Sequence, residues 1–237
     1  MLPPITKTLL ASNYNIFAKA KNDEELLILI GKERISQYRQ IINANQNLQN
    51  LNPSDLWQQN LRLSCDYYRQ IYLFETMLRN KINQEFSDYF GENWLDLNDT
   101  KVNFYSRAKE QIAEAKSRNE KKTKINEKER NRRADEINSL HLVECLSLGF
   151  WTGLFHEHYN RQIWWGCNNL IAKIFPFLYS SIRDLKQINK ELNLIRSFRN
   201  KVFHFANILD SQQPAINQLI NKYQQGILGR LIGDRDI

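Results

Sequence analysis

Residues 53–89 read PSDLWQQNLRLSCDYYRQIYLFETMLRNKINQEFSDY, and this stretch decides the fold class. Leu56, Leu63, Tyr67, Ile71, Phe74, Leu78, Ile82 and Phe86 follow one another at steps of three, four and seven. That spacing lines apolar side chains along one face of a helix. Asn52-Pro53-Ser54-Asp55 marks the start, with a capping side chain beside a proline in the first turn. Gly91 marks the stop. The pattern predicts one long helix from about Pro53 to Tyr89.

Helical spacing continues on both sides. Leu26, Leu27, Ile30, Ile35, Tyr38, Ile41 and Ile42 predict helix from Asp23 onward, ahead of an Asn/Gln-rich loop at Asn43–Asn52. Residues 1–22, with Pro3-Pro4 and several Asn, read as an irregular lead-in. Downstream, helices are expected at about 157–174, 178–204 and 212–228. The segment Leu148-Gly149-Phe150-Trp151-Thr152-Gly153-Leu154-Phe155 reads as a helix end and a tight turn. Only 8 Gly and 5 Pro interrupt 237 residues, too few for the frequent turns of an all-β chain. No repeat of fixed period is present. The expectation is an all-α chain, with a single helical domain over 23–237 and a charge-rich helical insertion at 101–136.

The chain carries 33 Lys and Arg against 26 Asp and Glu, a net charge of +7. This balance suits polyanionic partners and also suits plain solubility. Twelve basic and seven acidic residues fall within 101–136, so that block holds most of the surplus. Lys121, Lys122, Lys124, Arg130, Arg132 and Arg133 are its candidates for gripping an RNA backbone. The other reading of the block is a solvated helix laced with i, i+4 ion pairs. Cys65, Cys145 and Cys167 are odd in number and lack C-x-x-C spacing, which points away from a disulfide framework and toward a reducing compartment. No secretory h-region and no uncharged membrane-length stretch is visible, so a cytoplasmic protein with no membrane contact is expected.

Motifs for nucleotide cradles and serine hydrolases are absent. His156-Glu157-His158 is too tight for the i, i+4 histidine pair of a helical zinc site, since i, i+2 side chains diverge on an α-helix. Neither a metal nor any other cofactor is expected. What remains is Arg199-Asn200-Lys201-Val202-Phe203-His204, near the end of a Leu- and Ile-rich helix. Arg199 and His204 lie about 140° apart and about 7.5 Å along an ideal helix. Asn200 shares the face of His204 at i, i+4, and Arg196 lies near it. A fixed cation, an amide and an imidazole suit RNA cleavage without a metal. Histidine moves protons near neutral pH, and arginine stabilises charge on phosphoryl oxygens. The same residues in a helix also serve as ordinary surface and packing groups.

The segment Arg199–His204 resembles the R-x(4–6)-H signature of HEPN domains, with the polar Asn200 after the arginine. Glu75-Thr76-Met77-Leu78-Arg79-Asn80 resembles the E-x-x-L-R-N stretch of the Abi-like (abortive-infection) branch of that superfamily. The stretch at 148–155 resembles the same branch's G-F-W-x-G-L-F turn. The three occur in the family's order and, with the helix pattern, cover roughly residues 35–210.

The resemblance implies a HEPN-like helical bundle that dimerises, so that two R-x4-H motifs face one another across a shared cleft. It implies toxin-type endoribonuclease activity in phage defence, acting on RNA, under an unidentified trigger or antitoxin. By position, His204 carries over as acid/base, Arg199 as the phosphate-binding cation and Asn200 as polar support. Glu75, Arg79 and Asn80 carry over as supporting residues, with Glu75 positioning the motif through an arginine or simply tying helices together; Arg196, from its place near the same face, is a further supporting candidate. Abi-like members often continue the motif with His and Glu, where this chain has Phe205 and Ala206. HEPN toxins silenced by nucleotidylation carry a Tyr two residues after the motif His, where Ala206 stands here, which speaks against an antitoxin of that kind. The other function the sequence allows is a non-catalytic HEPN module that binds RNA or is regulated by a partner.

Overall fold

The structure, a computed structural model, describes residues 23–126, 142–165, 169–178, 184–209 and 213–229. All regular structure among them is helical, and the chain is all-α. The helices are α1 (Asp23–Ile30), α2 (Lys32–Asn43), α3 (Pro53–Phe90), α4 (Ser106–Asn126), α5 (Leu148–Gly153), α6 (Leu170–Ile174), α7 (Leu185–Phe203) and α8 (Gln213–Leu228). The described residues fall into two compact units, one within 1–71 and 198–217, the other within 72–197 and 218–237. No boundary shows in the sequence at these points, because all three fall inside helices, in α3, α7 and α8.

Helix α3 starts as its sequence predicts. The Asn52 side chain accepts from the Asp55 backbone N–H at 3.1 Å, and the Asp55 carboxylate accepts from the Asn52 N–H at 3.0 Å. Two N–H groups that the helix leaves unpaired are thereby satisfied reciprocally, and Pro53 occupies the position that has no N–H to lose. Gly91 ends the helix at φ 100°, a conformation that a Cβ disfavours.

The first unit is built on Leu26, Ile30, Ile35, Tyr38, Ile42, Leu56 and Leu209, all buried. Gly31, at φ 76°, breaks the predicted N-terminal helix into α1 and α2. The predicted loop at 43–52 holds one short 3-10 turn, Gln46–Leu48. The second unit has an aromatic core. Phe86 meets Trp94 edge-on at 4.9 Å, and Phe155 stacks on Trp164 at 4.8 Å. Phe150 and Trp151 of α5 are buried there with them.

Helix α4 realises part of the charged block, with Ile112 and Ala115 fully buried. Glu191 of α7 is buried and takes hydrogen bonds from Gln187, Lys222 and Tyr223 at 2.6–2.7 Å. Burial pushes its carboxyl up, but the three donors and the Lys222 charge outweigh that and hold it below its ordinary value. The same burial and the adjacent carboxylate push the Tyr223 phenol up strongly.

The helix expected at 157–174 is instead a 3-10 turn (Glu157–Tyr159), a π turn (Asn160–Trp164) and α6. The apolar spacing there is helical, but local geometry divides it. The His156 side chain accepts from the His158 N–H at the first turn, and Asn169 adopts a left-handed backbone before α6. No helix among the described residues is long and apolar enough to cross a membrane.

Candidate active site

The end of α7 is fixed from behind by two aromatic contacts within the first unit. Phe198 is buried and meets Tyr67 of α3 edge-on at 4.8 Å, and Phe203 stacks on Tyr68 at 4.7 Å. The Arg199 guanidinium carbon lies 3.9 Å from the centre of the Phe203 ring. Two groups this close cannot share one face of a phenyl ring, so Phe203 is held between Tyr68 and Arg199. A cation over an aromatic face is attracted by the ring quadrupole, worth about 0.5–1 kcal/mol at an exposed site. Arg199 Nη1 also donates to Asn200 Oδ1 at 3.5 Å, at the weak limit of a hydrogen bond. The guanidinium is therefore set by a residue inside the motif, Phe203, more than by Asn200.

Helix α7 ends at Phe203, and His204 is its C-cap. The His204 N–H donates to the Asn200 carbonyl at 3.0 Å, so the i, i+4 relation expected between these residues holds in the backbone. Beyond it the Phe205 N–H donates to the Val202 carbonyl at 3.1 Å and the Ala206 N–H to the Lys201 carbonyl at 2.9 Å. This is a Schellman closure, which requires a left-handed residue at the position after the cap. Phe205 supplies it at φ 53°. His204 is exposed.

The segment leaving the motif is held by a residue that the sequence reading passed over. Asn60 of α3 is 3% exposed, donates through Nδ2 to the Ala206 carbonyl at 3.1 Å and accepts through Oδ1 from the Ile208 N–H at 2.7 Å. One amide thus satisfies a donor and an acceptor of a backbone that has no helix to pair with. Gln213 donates to the Ile208 carbonyl, and Tyr67 Oη donates to the Gln213 carbonyl at 3.1 Å. A signal was present. The α3 stripe steps seven residues from Leu56 to Leu63, and Asn60 stands in the gap, one turn after Leu56. Beside this segment Glu33, Arg34 and Gln37 of α2 line an open cleft of about 380 Å³ with Ile30, Ala206 and Asn207.

Arg199, Asn200 and His204 belong to the first unit, and Glu75, Arg79, Asn80 and Arg196 to the second. Within the second unit Glu75 and Arg79 are half-buried, and Arg79 Nε donates to Asn80 Oδ1 at 3.4 Å. A side chain at Gly149 would come within 3.8 Å of Arg196 Cδ, so α5 and Arg196 are neighbours. The side chains of Lys121, Lys122 and Lys124, and the whole of Arg130, Arg132 and Arg133, lie outside the described residues. Where the charged block is described, Arg118 pairs with Glu114 at 3.9 Å one turn away, and Lys116 reaches Asp96 at 3.2 Å. Three aromatic pairs in the sequence split in one way. Tyr67, Phe104 and Trp164 are buried, whereas Tyr68, Tyr105 and Trp165 are exposed.

His156 and His158 do not diverge, because His156 caps a 3-10 turn that contains His158, and the local geometry is not that of an α-helix. Their rings stack at 4.5 Å, and both are exposed. Among the described residues no group of three or more His, Cys, Asp or Glu gathers where a metal ion would need them. No protein-family model matches the chain, and neither a curated protein nor a solved structure matches it.

Proposed function

We propose that the chain is a metal-independent endoribonuclease of the HEPN type, with His204 as proton-transfer group and Arg199 as the phosphate-binding cation. The observation that carries this reading is an exposed imidazole at the cap of α7, one turn beyond an arginine whose guanidinium is held over Phe203. In the proposed reaction a neutral His204 takes the proton of a ribose 2′-hydroxyl as its oxygen attacks the adjacent phosphorus. The bond from phosphorus to the 5′-oxygen breaks, and that oxygen gains a proton. The products are a 2′,3′-cyclic phosphate and a free 5′-hydroxyl. Arg199 stabilises charge on the non-bridging oxygens through the transition state. Asn200 supports the arginine.

The resemblance of three ordered stretches to Abi-like HEPN proteins supports the reading and adds to it. A homodimer would bring a second motif to the same cleft and so supply the acid that one histidine cannot be while acting as base. It also suggests a toxin-type defence effector that cleaves cellular RNA. The test is cleavage of a mixed RNA pool in EDTA by the wild type, Arg199→Ala and His204→Ala, each verified as folded. Only the wild type should generate cyclic phosphate ends. Loss of the histidine should slow the reaction by about 10²–10⁴-fold, the usual worth of a positioned acid or base. No cleavage by any of the three, or equal cleavage by the wild type and His204→Ala, would leave an RNA-binding or partner-regulated module in place of the enzyme.

A further inference from the structure

Phe205 places a large, exposed side chain where the closure of α7 requires only a left-handed backbone. Its backbone lies at φ 53°, where a Cβ is unfavourable and helix caps of this type favour glycine. The residue is 61% exposed, and among the described residues no ring or cation lies against its ring. Glycine would close α7 equally well and would leave no hydrocarbon in water. An outlier of this kind beside a candidate catalytic group calls for a functional reason.

We propose that Phe205 is a base-stacking residue, which takes one unpaired nucleobase next to the phosphate held at His204 and restricts the substrate to single-stranded RNA. This deepens the ribonuclease reading and rests on it. Neighbouring Cα atoms are about 3.8 Å apart, so a ring on Phe205 lies within a nucleotide's reach of a phosphate at His204. A nucleobase presents a flat apolar face of matching size to a phenyl ring, whatever its identity. In a duplex that face is covered by the neighbouring pairs, so only an unpaired base can be taken. Tyr68, half exposed and stacked on Phe203, adds a second aromatic surface within the same unit. A protein partner fits less well, because single rings fall far short of the roughly 800 Å² that each side of a stable interface buries.

The test measures binding of a labelled mixed-sequence single-stranded RNA, and of its duplex, to His204→Ala, which holds RNA without cutting it. Adding Phe205→Gly should weaken single-strand binding about ten-fold and leave duplex binding unchanged. Adding Phe205→Trp should keep single-strand binding within about two-fold of the parent. Phe205→Gly should also raise the melting temperature, so that stability and affinity move in opposite directions. Single-strand binding unaltered by Phe205→Gly would overturn the proposal, as would failure of the parent to bind RNA. A change of oligomeric state in place of RNA affinity would also overturn it, assigning the ring to a protein contact. Wild-type cleavage in EDTA, run in parallel, separates the two readings. Phe205-dependent binding without cleavage sinks the nuclease alone. Cleavage that ignores Phe205→Gly sinks the stacking alone.

Discussion

Replacing Asn60 with alanine tests whether one buried amide holds the chain that leaves the candidate site. In the wild type that amide makes two backbone hydrogen bonds, to the Ala206 carbonyl at 3.1 Å and from the Ile208 N–H at 2.7 Å. Ile208 is fully buried, so its N–H has no water to fall back on and carries the penalty of an unmade bond, about 1–3 kcal/mol. Ala206 is half-buried, and water can replace part of what its carbonyl loses, leaving about 0.5–1.5 kcal/mol. The expected loss is about 2–4 kcal/mol. It should appear as a lower urea midpoint at unchanged m-value. Amide exchange gives the local readout, since Ile208 should be protected in the wild type and exchange freely in the variant. Because the segment begins two residues after His204, RNA cleavage should fall as well. A loss below about 0.5 kcal/mol with Ile208 still protected would refute the reasoning, since the amide would then not be what satisfies that backbone.

Two further outcomes follow from the buried polar groups. The Glu191 carboxyl is held below the 4.5 of a free side chain, so its stabilising contribution is complete above that pH and is lost as pH falls through the lower folded-state value. Urea midpoints of Glu191→Gln should therefore start lower at neutral pH and fall less steeply below pH 4.5 than those of the wild type; parallel curves would refute this. The Tyr38 hydroxyl is buried without a hydrogen-bond partner among the described residues, and burial, partly offset by the Arg34 charge, pushes its phenol from 10.0 up to about 12. Its resistance to ionisation stabilises the fold fully below pH 10 and is lost as pH rises toward 12. Tyr38→Phe should gain about 1 kcal/mol at pH 7 and lose less at alkaline pH, and a destabilised variant would reveal a partner for that hydroxyl.

The fold class was legible because apolar spacing and caps act within a few residues of themselves. The α3 stripe, the Asn52–Asp55 caps and the stop at Gly91 needed no knowledge of any distant segment. The same local reasoning failed at 157–174, where helical spacing was right but caps at His156 and Asn169 divided the run. It also failed between α1 and α2, where a glycine that a helix can tolerate proved to be a turn. At the site, the residue types of Arg199, Asn200 and His204 could be read directly, since the chemistry that suits phosphate belongs to the side chains.

Their geometry could not be read. That Phe203 holds the guanidinium depends on Tyr68 supporting the opposite face of its ring, and Tyr68 lies 135 residues away in the chain. That Phe205 takes the left-handed position depends on the helix ending at Phe203, with His204 as its cap, and not a residue later. That Asn60 satisfies Ala206 and Ile208 depends on two segments 146–148 residues apart meeting with neither in a position to bond otherwise. By itself the sequence determined the helices and the chemical groups on offer, because both follow from local spacing and side-chain type. The tertiary structure alone decided which groups are fixed, which are exposed and which backbone must be satisfied by a side chain, because desolvation and contact are properties of what has come together.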